Sequence, residues 1–221
     1  MDSHGIPNSH SVASMSESAA AELAASDPVM GELVARLGEL SLDTRRRRRP
    51  AVDAYGMLLR SVVGQQLSVK AAATIYGRVL DLFGGETPPP EKLLEAEPQA
   101  LRDVGLSWRK VEYVRDLAAH VISGELELDR LDQLSDDDVV AEITAVRGFG
   151  VWSAQMFLIF FLERPDVLPT GDLGIRKAAQ VAYELEQMPS PSELEQLAEP
   201  WRPHRTLACI YLWESLANEP V

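Results

Sequence analysis

"VRGFGVWSA", residues 146–154, decides how the rest of the chain is read. Two glycines, Gly148 and Gly150, flank Phe149 and are followed by Trp152 and Ser153. The stretch lies between a polar segment of helical period, "SDDDVVAEITAV", and the very apolar "QMFLIFFL". A hydrophobic-x-Gly-hydrophobic-Gly turn between two helices leaves N–H groups at the second helix's start without intrahelical acceptors. Those groups and the helix dipole form an anion site, and glycine permits positive φ and the close approach of a phosphate. A purely structural hairpin between two helices accounts for the glycines equally well. It does not obviously account for Trp152.

Working outward, helical signals dominate and strand signals are almost absent. "VDAYGMLLRSVVG" repeats apolar residues at three-to-four spacing behind Asp53, a candidate N-cap. "GQQLS", residues 64–68, interrupts the period, and "VKAAATIYGRVLDLFG" resumes it. "GGETPPP" is a loop, followed by short helices at "EKLLEA" and "PQALRDV". "GLSWRKVEYVRDLAAHVISG" reads as a helix capped by Ser107 and stopped by Gly124. "SDDDVVAEITAV" opens with Ser135 and acids in its first turn, which suits the dipole, and a second helix begins near Val151. "LGIRKAAQVAYEL" and "RTLACIYLW" are the last clear helices, separated by "MPSPSELEQLAEPWRP". The expectation is an all-α domain over residues 25–221, after a small, polar and disordered tail at residues 1–24. "LRDVGLSW" looks like "AVRGFGVW", but both read as helix–turn–helix junctions rather than a repeat.

Bulk properties narrow the function. Of 221 residues, 46% are hydrophobic, enough for a substantial core. A lone cysteine, Cys209, excludes an intramolecular disulfide framework and a Cys-rich zinc or iron–sulfur cluster held by this chain alone. The longest apolar run, residues 156–162, is far short of a membrane span. With no basic-then-apolar start to suggest a secretory signal, the expectation is a cytoplasmic protein, nucleoid-associated if bacterial, with no membrane partner. A net charge of −13 argues against nonspecific nucleic-acid binding. "RRRRR" at residues 45–49, ahead of Pro50, reads as a solvated charge run or as a phosphate-contacting patch. An anion site made of backbone amides needs few lysines, so it can operate on an acidic protein.

Four stretches together carry a resemblance: "VVGQQLS", "VRGFGVWSA", "LPTGDLGIRKA" and "WRPHRTLACIYLW", in that order along the chain. The chain resembles the helix–hairpin–helix superfamily of DNA glycosylases, in its 3-methyladenine DNA glycosylase II branch. The resemblance implies a helix–hairpin–helix glycosylase fold of two helical lobes. It also implies a cleft between the lobes for an extruded base, and no extra N-terminal β-domain. The implied reaction is monofunctional hydrolysis of the N-glycosidic bond of alkylated bases such as 3-methyladenine in damaged double-stranded DNA, leaving an abasic site. No redox or organic cofactor is implied, and a monomer is expected.

Residue by residue, Asp172 matches the family's catalytic aspartate, which stabilises positive charge at the sugar C1′ or orients water. Read from local sequence alone, it is equally a helix N-cap for "LGIRKAAQ". Asp166 lies outside the matching segment and reads as a loop residue. Where the lyase-competent branch has an amine nucleophile, this chain has Trp152, which cannot form a Schiff base. The resemblance places Trp152 and Trp213 in the base pocket, where a cationic alkylpurine gains a cation–π contribution. Met156 stands where a close relative of the pattern has an aromatic, a softer wall that bears on base preference. Ordinary core packing is the other reading of such residues on apolar helices. Leu67 is implied as the minor-groove wedge, Gln66 as the filler of the vacated space, and Ser68 beside them; alternatively, "GQQLS" is an interhelix turn with one anchoring leucine. Amides of Gly148, Gly150 and Ser153 are implied phosphate ligands, and carbonyls of Thr144, Arg147 and Phe149 an implied site for Na⁺ or K⁺. Lys70, Arg109, Lys110, Arg176 and Lys177 are further candidates for phosphate contact. The alternatives are a non-catalytic DNA-damage binding module, a bifunctional glycosylase/lyase, a glycosylase for another lesion such as a deaminated purine, and a general helical interaction protein.

Overall fold

The structure, a computed structural model, describes residues 9–41 and 53–217, and every regular element among them is a helix. The arginine run at residues 45–49 lies outside the described residues. Helix α1 spans Ser9–Ser26 and α2 spans Pro28–Leu37. Between them Asp27 caps α2, its Oδ1 accepting from Met30 N at 2.9 Å, with Pro28 at the first helical position. The expected disordered tail is therefore corrected: from Ser9 onward it is helix, and residues 1–8 lie outside the described residues. Alanine is the best helix former, and "AAAELAAS" supplies it densely. Ala20 and Leu23, three residues apart, share one face and are buried.

Next come α3 (Ala54–Gly64), α4 (Val69–Leu82), α5 (Pro90–Glu95), α6 (Pro98–Asp103) and α7 (Trp108–Ser123). Asp53, Ser68 and Ser107 cap α3, α4 and α7 through their side-chain oxygens. Gly124 ends α7 in the left-handed region, φ 75°. A 3-10 turn at Leu128–Gln133 precedes α8 (Asp136–Ala145), which Ser135 caps, and α9 follows at Val151–Phe160. The last helices are α10 (Leu173–Ala182), α11 (Pro191–Leu197) and α12 (Arg205–Ala217). The expected separator "MPSPSELEQLAEPWRP" holds α11 and a 3-10 turn at Glu199–Trp201. Pro191 sits in the first turn, where proline suits a helix. Ser190 and Glu193 close a capping box there.

Two compact units emerge, one of Met1–Pro50 with Glu163–Val221, the other of Ala51–Leu162. In the first, α2 and α10 pack on α12, and α1 packs on α2. Buried Tyr211 on α12 donates its hydroxyl to Gly38 O (3.0 Å) and accepts from Leu40 N (3.3 Å), tying down the chain after α2. Fully buried Trp201 donates Nε1 to the Tyr183 hydroxyl at 3.0 Å. In the second unit, α7 packs against α3, α5 and α6, α3 against α4, and α8 against α9. Leu58, Leu59, Val62, Val114, Leu117 and Ile143 are among its core residues. Asp172 and Trp213 thus belong to the first unit, and the 146–154 turn, "GQQLS" and Trp152 to the second.

Candidate functional site

The 146–154 stretch is a tight turn between α8 and α9. Val146 N donates to Ile143 O and Phe149 N to Val146 O, both at 3.2 Å. Buried Val146 and Phe149 pin the turn from beneath. The two glycines serve different needs. Gly148 has φ 91°, and a Cβ there would lie 2.3 Å from the Tyr113 ring. Gly150 has an ordinary φ of −114°, and a Cβ there would meet nothing within 4 Å. Gly150 is exposed and is the N-cap of α9, where no side chain caps the helix. The first helical bond runs from Ala154 N to Gly150 O at 3.2 Å. The turn thus presents the open start of a helix, with an anion site's geometry.

Helix α7 holds this turn in place. Asp116 accepts from Arg147 N at 2.8 Å and from Arg147 Nε at 2.9 Å. Burial of Asp116 opposes its ionisation, but the Arg147 amide and guanidinium bring its carboxyl below the usual carboxylate range. Tyr113, one turn earlier on α7, packs over Gly148.

The "GQQLS" loop belongs to the same unit. Gln65 ends α3, Gln66 takes a positive φ of 58°, and Ser68 caps α4. Leu67 is 37% exposed, a large apolar side chain presented outward at a strained loop. Gln65 Nε2 donates to Gly148 O at 2.8 Å, fastening this loop to the turn. Lys110 Nζ donates to Val63 O at 2.7 Å, and burial pushes its pKa down.

Trp152 sits in the first turn of α9 and is 46% exposed, beside exposed Val151. Met156, four residues on along the same face, is half-buried. In the other unit, Asp172 is the N-cap of α10: its Oδ1 accepts from Ile175 N at 2.8 Å. The same Oδ1 accepts from Trp213 Nε1 at 3.1 Å, so the structure brings Asp172 and Trp213 together. Both side chains are half-buried. A Cβ on Gly174 would lie 3.0 Å from Asp172 Oδ1 and 3.4 Å from the Trp213 ring, so glycine leaves this pair its room.

Asp166 is more than a loop residue. Its Oδ1 accepts from Arg205 Nε and its Oδ2 from Arg202, each at 2.7 Å. Arg205 also donates to the Asp166 carbonyl at 2.7 Å. Thr206 adds bonds to Arg164 O and from Val167 N. This knot fixes the loop leading to Asp172 against the start of α12, the helix that carries Trp213. No signal in the sequence joined residues almost forty positions apart.

Of the basic candidates, Lys70 and Arg109 are exposed. Arg176 Nε is bound to Pro189 O at 2.7 Å and Lys177 to Gln180 at 3.1 Å. No cluster of three or more His, Cys, Asp or Glu side chains suited to a metal occurs among the described residues.

Residues 59–203 match the family model of the HhH-GPD superfamily base excision DNA repair protein, a span that takes in the loop, the glycine turn and Asp172. The chain is 33% identical over 165 residues to DNA-3-methyladenine glycosylase 1 of Schizosaccharomyces pombe, covering 74% of this chain and 72% of that protein. It is 31% identical over 170 residues to the Bacillus subtilis protein YfjP, covering 74% of this chain but only 59% of that longer relative. Among solved structures, S. pombe 3-methyladenine DNA glycosylase in complex with abasic DNA is similar at a TM-score of 0.80 and 30% identity, over 90% of this chain and 97% of that chain.

Proposed function

The chain belongs to the HhH-GPD superfamily of base excision DNA repair proteins, and from that premise we propose that it is a monofunctional glycosylase acting on alkylated bases in duplex DNA. The observation that carries the proposal is the grip on Asp172. Two donors, the Ile175 amide and the Trp213 indole, converge on one carboxylate oxygen. That fixes the orientation of the carboxylate before substrate arrives, and preorganised charge is worth most where charge develops.

In this reading the C1′–N bond breaks with its electron pair leaving on the base, positive charge builds on the sugar, and Asp172 stabilises it. Water then adds at C1′ and gives up one proton to the solvent. An alkylated purine that is already cationic leaves readily and gains about 0.5–2 kcal/mol by stacking on indole, the part assigned to Trp152 and Trp213. Met156 softens that pocket. With tryptophan at position 152 there is no amine to attack the sugar, so the product is an abasic site in an uncut strand.

The amides of Gly148, Gly150 and Ser153 bind a phosphate, and Leu67 wedges into the minor groove with Gln66 filling the gap and Ser68 beside them. In the turn, Val146 N and Phe149 N bond to the carbonyls of Ile143 and Val146. The carbonyls of Thr144, Arg147 and Phe149 form a neutral oxygen set suited to a monovalent cation, which would screen the phosphate held there. The protein works as a monomer in the cytoplasm, without a redox or organic cofactor.

The test is base release from methylated duplex DNA by wild type and Asp172→Asn. The variant is expected to keep DNA affinity and lose about 10²–10³ in release rate, the range seen for removal of one electrostatic stabiliser. Binding without release by wild type, across alkylated and deaminated lesions, would leave Asp172 as a cap alone and favour a non-catalytic damage-binding module.

A further inference from the structure

We propose that Gln65 is a positioning residue that locks the wedge loop to the phosphate-binding turn, so that Leu67 enters the duplex in fixed register with the backbone grip. The inference rests on the functional reading above. Gln65 itself touches no reacting atom; it acts through Gln66 and Leu67.

Three observations carry it. First, the loop's own backbone bonds lie at the long end of the usual range: Gln65 N to Val62 O is 3.3 Å and Leu67 N to Gly64 O is 3.2 Å. Yet Gln66 sits at φ 58°, a conformation that persists only when the surroundings impose it. Second, Gln65 Nε2 donates to Gly148 O at 2.8 Å, a bond between residues 83 positions apart. Third, its acceptor is braced on two sides. Gly148 is held at φ 91° under the Tyr113 ring, and the adjacent Arg147 amide is bound to Asp116. On the other side Lys110 Nζ braces Val63 O at 2.7 Å. A wedge can unstack a base pair only if it is anchored against something stiffer than the duplex. Without Gln65, the loop yields before the base stack does.

The test uses the full chain and a duplex carrying one alkylated base with 2-aminopurine next to it, whose fluorescence rises when the stack opens. Gln65→Met keeps length and bulk and removes the donor; Gln65→Asn is one methylene too short to reach and serves if the first variant does not fold. Thermal unfolding identifies such a failure. The expected result is a fluorescence rise about tenfold slower than wild type, the effect of losing one hydrogen bond, with affinity for undamaged duplex changed less than about twofold. The deficit should shrink when the lesion is mispaired, because extrusion then costs less. A merely structural role would slow both duplexes equally, and that result overturns the inference. So does an unchanged rise, or wild type binding with no rise at all. A wild type that opens the stack but releases no base defeats the glycosylase reading alone, and the fluorescence comparison still judges Gln65.

Discussion

The glycines of the 146–154 turn look interchangeable in sequence and are not. Gly148 is required by folding: its φ of 91° is unfavourable for any other residue, and a Cβ would collide with the Tyr113 ring at 2.3 Å. Gly148→Ala should destabilise the protein by about 2 kcal/mol or more, from backbone strain and overpacking together. Gly150 has an ordinary φ and open space where a Cβ would go. Gly150→Ala should unfold at the wild-type temperature, yet bind DNA about tenfold more weakly, because the methyl occupies the approach of a phosphate to the helix start. Thermal melts and anisotropy titrations on the two variants separate these roles. If Gly150→Ala binds as wild type does, the anion is not bound at that helix start. The same resolution applies at position 172, where the cap and the candidate catalyst are one carboxylate. Local sequence offered these as rivals, but an Oδ1 that accepts from both Ile175 and Trp213 serves as a cap while being aimed by the indole.

Among the elements, α7 is the brace on which the candidate interface is built. Residues 110, 113 and 116 recur every three positions and so share one helical face. They hold, in turn, the end of α3, Gly148 and Arg147. Asp116 makes this brace sensitive to acid. Its folded-state pKa lies below its unfolded value, so its contribution to stability is present above about pH 4 and is lost as pH falls through the folded pKa. Asp116→Asn should lower stability at pH 7 by about 1 kcal/mol, since the Arg147 guanidinium partner is largely exposed and screened. It should also flatten the acid side of the stability curve, and melts between pH 3 and pH 7 measure both. A variant whose acid limb matches wild type would place the acid sensitivity elsewhere. Such contacts mark the limit of what the sequence made legible. Asp53, Ser107, Ser135 and Gly124 were readable as helix ends because capping is local chemistry. Helix α1 was missed because alanine and serine pass for a polar tail, and α11 because its seven residues are too few to show a helical period. The Asp166 knot and the Gln65 bond join residues tens of positions apart, and no local rule reaches them.

On the scale of the whole molecule, the proposed function has to explain how a chain of net charge −13 would hold a polyanion. The same sequence made the family legible through four short stretches while its bulk charge pointed the other way. The conflict eases once charge is counted where it is used. The candidate contacts at Gly148, Gly150 and Ser153 are backbone amides, which carry no formal charge and release no bound cation when they meet a phosphate. Of the five basic candidates, Lys110, Arg176 and Lys177 are bound to groups of the protein itself, whereas Lys70 and Arg109 are exposed. Counterion release scales with the phosphates neutralised by Lys and Arg, at a slope of about −0.9 per phosphate in log K against log salt. With about two to four such contacts, the slope should lie between about −2 and −4. Between 50 and 200 mM salt, three contacts correspond to a loss of about fortyfold. Anisotropy titration of a duplex carrying an abasic analogue measures this directly. A slope steeper than about −6 would mean that a basic surface, with the arginines at 45–49 the foremost candidate, carries the binding; neutralising that run would then flatten the slope. A shallow slope that survives its neutralisation puts the grip in the amides of the glycine turn, where an acidic protein can hold DNA without first reversing its charge.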